Sequence, residues 1–160
     1  MILYHGCTEP VNTPRIIKAY TGRDFGTGFY TTDIRDQAVK WAHRQAKYRN
    51  STYALLNIYN FDDLASDVLN VKNFNRYTLE WLDFVVSCRH NINFTHEFDL
   101  IIGKIANDDV GETIQAVVDG LTSKDFALTK LTFMQANIQI CFSTSKALRY
   151  LKYLTFERLN

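Results

Sequence analysis

Apolar residues recur along this chain in short bursts of two periods, and the switch between those periods predicts the elements. Residues 2–5 read as a short strand, followed by a turn-rich stretch at 8–14. Pro14, at the permitted first-turn position, predicts a short helix over 15–20. Segment 24–32 is a glycine-bearing turn running into a second strand. Asp33 then stands as the expected N-cap of a helix in which Ala38, Trp41, Ala42 and Ala46 recur at helical spacing. Residues 53–59 alternate as a third strand, and Asp62 and Asp63 open a short helix. A second long helix is expected over 75–89, where Leu79, Leu82, Phe84, Val85 and Val86 sit among polar residues. Residues 98–105 are strand-like and are broken at 106–109. A third helix spans 110–119 and ends at Gly120, the usual place for a C-cap glycine. Residues 123–131 give a fourth helix, 137–143 a strand, and 145–151 a helical turn before a last strand that ends near 157. Strands and helices are segregated more than they alternate, which favours α+β over a doubly wound sheet.

At 160 residues, 46% of them hydrophobic and 14% aromatic, the chain has the material for one domain with a genuine core. No linker, repeat or low-complexity tract divides it, so a single domain over 1–160 is expected. Eighteen basic against seventeen acidic residues leave a net charge of +1, which gives no global electrostatic argument for nucleic acid or membrane. The first residues show no basic stretch followed by an apolar run, and no apolar run is long enough to span a bilayer. Cys7, Cys88 and Cys141 are widely spaced and odd in number, which suits reduced thiols in a cytoplasmic protein. His5, His43, His90 and His96 do not fall in zinc-ligand spacings, so no metal is expected.

Two short constellations carry the candidate chemistry: Tyr4-His5-Gly6-Cys7, and Phe25-Gly26-Thr27-Gly28-Phe29-Tyr30. Taken singly, the first is a histidine on a strand and the second a tight turn or bulge. The second is neither a Rossmann fingerprint, since the third glycine is absent and a strand follows, nor a phosphate-binding P-loop. A nucleophile pair of Cys7 with His5 lacks any third member.

In this order, and a strand-loop-strand apart, the two resemble the NAD+-binding core of the ADP-ribosyltransferase superfamily of the diphtheria-toxin and poly(ADP-ribose)-polymerase type. Further stretches are similar to a bacterial family of that superfamily known only as a domain of unknown function. They are residues 80–85, residues 99–108, Gln139-Ile140-Cys141-Phe142 and Lys146-Ala147-Leu148. The resemblance implies an α+β fold of split antiparallel sheets flanked by helices. It also implies an enzyme that moves ADP-ribose from NAD+, its substrate, to a protein or nucleic-acid acceptor. A toxin or conflict effector, with a neutralising antitoxin as partner, is the setting it suggests; NAD+ hydrolysis and silent binding of NAD+ or ADP-ribose are the alternatives.

The same resemblance assigns roles. The Gly6 backbone holds the nicotinamide carboxamide, where the lack of a Cβ suits a close approach. His5 holds a hydroxyl of the adenosine-side ribose, and Tyr30 stacks on the nicotinamide ring. The family's later-strand glutamate is replaced here by Gln139, which accepts a hydrogen bond but carries no charge and cannot act as a base. Asp108, after Asn107 in a polar loop, is the candidate base or acceptor-positioning group, with Glu80 and Glu157 as weaker alternatives. Tyr4, Cys7, Phe25, Gly26, Gly28, Phe29, Trp41 and Asn107 complete the NAD+-binding set. Arg15 and Arg23, close to the motifs, suit the bidentate geometry of a pyrophosphate. The basic positions Lys40, Arg44 and Lys47 read first as a solvated helix face.

Overall fold

A computed structural model describes residues 1–18, 22–104, 108–132 and 137–159. Three strands, β1 (Ile2–Cys7), β3 (Ala54–Phe61) and β7 (Leu151–Leu159), form an antiparallel sheet in the order β1-β3-β7. Four more, β2 (Phe29–Thr31), β4 (Val71–Phe74), β5 (Leu100–Lys104) and β6 (Ile138–Phe142), form a second sheet in the order β2-β6-β5-β4. Only β4 and β5 run parallel, and α2 (Leu79–His90) makes the crossover between them. The other helices among the described residues are α1 (Arg35–Tyr48), α3 (Asp108–Val118), α4 (Lys124–Thr132) and α5 (Ser145–Leu148), with a short 3-10 helix at Asp63–Asp67. This is a single-domain α+β protein of two sheets.

Strand parity explains the layering. Along β2, β5 and β6, Phe29, Leu100, Ile140 and Phe142 point into one cluster with Leu3, Tyr59 and Phe61 of the first sheet. Their neighbours Ile101 and Cys141 enter a second cluster with Phe25, Phe74, Trp81, Leu82, Val85, Ile114 and Leu131, beneath α2, α3 and α4. The second sheet is therefore buried on both faces, which is why its strands read as nearly unbroken apolar runs. Helix α1 instead covers the outer face of the first sheet through Ala42 and Ala46 against Ala54.

Most expected elements appear, with differences that have local causes. The helix expected over 15–20 is absent from its described part; Ile17 instead pairs with Gly28 as an isolated β-bridge, its carbonyl accepting the Gly28 N–H at 3.2 Å. Asp33 is not the N-cap of α1. Ile34 holds that position without a side-chain cap, and its N–H donates to Thr32 Oγ1 at 3.1 Å. Helix α2 begins at Leu79 rather than 75 because Thr78 caps it, accepting from the Trp81 N–H. Strand β4 escaped the pattern: it is short, and Lys72 and Asn73 interrupt its apolar residues.

The turn before β2 is anchored from below. Asp24, 5% exposed, receives Nε and Nη2 of Arg89 at 2.8 and 2.7 Å, tying the turn to the end of α2. Removing one partner of such a pair leaves a buried charge behind. Arg89→Ala is expected to cost about 3 kcal/mol, the lower end for buried pairs because Arg89 keeps some solvent contact. Chemical denaturation of the variant checks this; a loss below about 0.5 kcal/mol, as for a surface pair, would contradict it.

Candidate functional site

Strands β1 and β2 meet along a two-bond seam. The Tyr4 N–H donates to Thr32 O at 2.8 Å, and the Thr32 N–H returns a bond to Tyr4 O at 3.0 Å. One residue on, His5 Nδ1 lies 2.7 Å from the backbone carbonyl of Tyr30. A carbonyl only accepts, so Nδ1 carries the proton, and the neutral ring keeps Nε2 as an acceptor. Burial is the largest influence on His5 and lowers its pKa; the bond to Tyr30 opposes it, and the charges of Arg23 and Arg49 add to it. The ring rests 4.6 Å from that of Phe29, so its orientation is set by packing as well as by the hydrogen bond.

Tyr30 is held just as firmly. Its hydroxyl donates to Gly26 O at 2.5 Å, and the Arg23 guanidinium lies 5.3 Å from the ring centre. Burial pushes its pKa far above the usual phenol value, so it stays a neutral donor. Gly26 has φ +72°, which favours glycine, and its N–H closes the turn on Arg23 O at 3.3 Å. On the neighbouring strand Tyr30 pairs with Cys141, two residues beyond Gln139. Tyr30 and Gln139 thus share one face as diagonal neighbours, a relation that places Cβ atoms about 7–8 Å apart. Gln139 Oε1 is buried and has no hydrogen-bond partner. Gln37, in the first turn of α1, donates through Nε2 to the carbonyl of Ile138 at 2.9 Å, and its Oε1 is likewise buried and unpartnered. Each such acceptor costs about 1–3 kcal/mol when it loses water without replacement.

The structure therefore joins His5 to Tyr30 directly and sets Gln139 beside Tyr30. Other expected members have different employment. Phe25 and Phe29, 0% and 2% exposed, belong to the two hydrophobic clusters and present next to no surface to a ligand. Gly6 lacks a side chain because α1 occupies the space: a Cβ there would lie 2.1 Å from Ala38 O and 2.8 Å from Ala42 N. Gly28 is likewise filled against, with Cys141 Sγ at 2.4 Å from a Cβ. Cys7 donates its thiol to Glu9 O at 2.9 Å and accepts from Asn57 Nδ2 at 3.2 Å; burial pushes its pKa up. It is a structural thiol and not a nucleophile paired with His5. All three cysteines are free and buried.

Trp41 lies 48% exposed, off the buried Ala38, Ala42 and Ala46 face, because the close seat on Gly6 admits only small side chains. Lys40, Arg44 and Lys47 line the exposed side of α1. That helix covers the face of β1 presented by Gly6, whereas His5 presents the opposite one, so the stripe stands away from His5. Arg15 is exposed, and Arg23 donates to Gly28 O at 3.5 Å. Glu80 is paired with Lys72 and Glu157 with Arg35. Asn107 lies outside the described residues; Asp108 opens α3, and its side chain lies outside them too.

Two residues that matter locally escaped sequence reasoning. Asn57, fully buried, accepts from the Val11 N–H at 2.7 Å and donates to Glu9 O at 3.1 Å, so it ties down the loop after β1. A polar residue in the middle of the apolar 54–58 run was its signal. Gln37 had none, because a glutamine in a first helical turn is commonplace. A cavity of about 160 Å³ lies beyond the Tyr30 turn, lined by Gly26, Thr27, Phe94, His96 and Ser143 among others. A larger, shallow hollow of about 570 Å³, near Asn60, Arg149 and Lys152, contains none of the expected site residues. No group of three or more His, Cys, Asp or Glu that could hold a metal occurs among the described residues, and no described helix is long and apolar enough to cross a membrane.

Fold and site together describe a single-domain α+β protein in which His5 of the first sheet bonds the Tyr30 backbone of the second, with Gln139 one strand over from Tyr30. Residues 1–153 match the model of a family described as a protein of unknown function, DUF3990, and the chain belongs to that family. No curated protein and no solved structure matches it.

Gly6→Ala is expected to destabilise the ligand-free protein by about 1–3 kcal/mol, the cost of overpacking a tight site, since the obstacles are helix backbone atoms. A melting temperature equal to that of the parent would show that the helix yields. The lowered His5 pKa also has a sign. Between the folded value and the ordinary 6.5, the unfolded chain binds the extra proton, so stability is full above pH 6.5 and declines as pH falls below it. Melting curves between pH 7.5 and about 5 should show this decline in the parent and less of it in His5→Asn, whose amide still reaches Tyr30 O. Parallel curves would contradict the assignment.

Proposed function

We propose that this protein is a mono-ADP-ribosyltransferase with an ADP-ribosyltransferase-like fold, using NAD+ as donor and a macromolecule as acceptor. The contact of His5 Nδ1 with Tyr30 O carries the proposal, because it joins the two motifs into one site and leaves Nε2 as an acceptor for a ribose hydroxyl. Tyr30 and Gln139 on one face of the second sheet, and the packing of a three-stranded against a four-stranded sheet, support it further.

In the reaction, the bond between the nicotinamide nitrogen and ribose C1′ breaks, and its electron pair leaves with neutral nicotinamide. A nucleophilic atom of the acceptor forms the new bond to C1′ and releases its proton to solvent or to a base. Positive charge grows on the ribose in between. The chain's part is to hold the ribose and nicotinamide still, which contributes several kcal/mol or more. Gln139 accepts a ribose hydrogen bond without adding negative charge, and the loss of such electrostatic help commonly costs about 10²–10³ in rate. That deficit fits single-unit transfer by a slow enzyme, as expected of a toxin-like effector held in check by a partner. The same neutrality favours one other reading, a module that binds NAD+ or ADP-ribose without turning it over.

Incubation of the purified protein with NAD+ labelled on the adenylate moiety, with and without lysate, separates these outcomes. Label is expected on protein or nucleic acid, and its transfer should fall by at least about 100-fold in Tyr30→Ala and His5→Ala. Gln139→Glu should raise NAD+ cleavage. Free ADP-ribose alone would indicate hydrolysis, and thermal protection by intact NAD+ would indicate the silent module. Unchanged NAD+ without protection would overturn the proposal.

A further inference from the structure

Beyond the turn that holds Tyr30 lies the cavity of about 160 Å³, for which neither motif accounts. One wall is aromatic. Phe94, His96 and Phe98, from the segment between α2 and β5, line it, with the His96 and Phe98 rings 27° from parallel and 5.6 Å apart. Phe84 of α2 lies against all three, at 5.5, 5.4 and 6.1 Å between ring centres, so the wall is seated on the core. The His96 ring is fixed as well: Nδ1 accepts from the Phe98 N–H at 3.3 Å, and a further hydrogen bond ties the ring to the Phe25 backbone. Burial lowers its pKa, which keeps the ring uncharged. The rest of the lining is largely polar. Thr27 from the glycine-bearing turn, Asn91 at the end of α2 and Ser143 just past β6 bring hydroxyl and amide groups to the same space. Among the described residues no Lys, Arg, Asp or Glu lines it.

Three features narrow the occupant. The volume is that of one ring, since a cavity of about 150 Å³ holds a benzene. Aromatic walls receive a flat π-system by stacking. A hydrocarbon ring would strip water from the hydroxyl and amide groups without replacing its hydrogen bonds, whereas a ring with nitrogen and oxygen at its edge replaces them. We propose that this cavity binds one nucleobase, stacked on the Phe94, His96 and Phe98 wall and hydrogen-bonded along its edge by Thr27, Asn91 and Ser143. Unpaired bases are recognised by this combination of stacking and edge contacts. The site is separate from the one assigned to the ribose: Ser143 is four residues past Gln139, about 13 Å along an extended strand. It adjoins Tyr30 nonetheless, because Gly26, whose carbonyl takes the Tyr30 hydroxyl, forms part of the lining. The proposal goes beyond the transferase reading and does not need it. The base comes from a single strand of nucleic acid or from a free nucleotide such as NAD+, and the experiment tells these sources apart.

Two-dimensional NMR of the labelled protein, titrated separately with adenosine, guanosine, cytidine, uridine and benzene, reads the site through the amides of Thr27, His96 and Ser143. At least one nucleoside is expected to shift these signals saturably, and to bind more tightly than benzene. Phe94→Leu, which keeps bulk but removes a ring, should weaken that nucleoside about ten-fold, within the range for one stacked base. Ser143→Leu, which fills the cavity, should abolish the shifts. No response to any nucleoside, benzene binding as tightly, or an unchanged response in Phe94→Leu would overturn the proposal. Phe94 is part-exposed on a loop, so this variant keeps the test decisive should Ser143→Leu fail to fold. Repeating the titration in excess NAD+ identifies the source. Displacement of the nucleoside assigns the cavity to the base of the dinucleotide; undiminished binding, with tighter binding of a short single strand of the same base, assigns it to nucleic acid. Transfer of label from NAD+ is read in separate samples, so failure of the transferase reading and failure of the base site are distinguishable.

Discussion

The fold depends on a short seam between the first two strands. Strand β2 has three residues and pairs with β6 along one edge. On its other edge the backbone of Thr32 is taken up by Tyr4, and the carbonyl of Tyr30 by the side chain of His5. A histidine here does what a longer strand would have done with a peptide N–H, so among the described residues the hydrogen-bonded seam between the sheets is one bridge and one imidazole, added to the apolar cluster they share. The imidazole can serve because its second nitrogen is not needed for the join. A structural bond at Nδ1 and an acceptor lone pair at Nε2 are two ends of one ring, and burial keeps that ring neutral at ordinary pH.

Helix α1 is seated by the same strand from the other side. Gly6 removes the side chain that would have held the helix off, and Ala38, Ala42 and Ala46 bring its backbone down onto β1 and β3. Adjacent residues of one strand thus divide the labour by parity: His5 faces β2, and Gly6 faces the helix. The closeness of α1 carries Gln37 to the first residue of β6. Three elements far apart in sequence are thereby brought to one small region by contacts made mainly of backbone and small side chains.

Periodicity made most of the strands and helices legible because their apolar residues serve faces of fixed period. It failed where a partner outside the local window decided the outcome. Residues 15–18 looked helical from Pro14 onward, yet Ile17 is drawn into a bridge with Gly28. Trp41 was grouped with Ala38, Ala42 and Ala46 because it recurs at helical spacing, yet a helix riding on a glycine has room only for alanine on that side. In the site, the His5–Tyr30 pair was legible from motif order, whereas the reason for Gly6 was not. Its missing Cβ reads equally well as space for a ligand or space for a helix, and only three-dimensional packing tells the two apart. Gln37 was invisible for a different reason: what distinguishes it is an absent hydrogen bond, and no pattern of residue types encodes that.

An amide rather than a carboxylate at position 139 has a physical logic of its own. Its oxygen is buried beside a tyrosine whose hydroxyl is already committed to Gly26, and no described cation reaches it. A carboxylate in that place would be an ion without a partner among the described residues, and the protein would carry its desolvation cost. A neutral amide costs far less when empty and still accepts a hydrogen bond when filled. The amide thereby favours the stability of the fold, in a chain where Tyr59, Trp81, Cys141 and the Tyr30 ring already leave little water in the neighbouring layers. Gln139 as a residue is only partly buried, and its side-chain oxygen alone is sealed from solvent, so the choice of amide over carboxylate is made at that one atom.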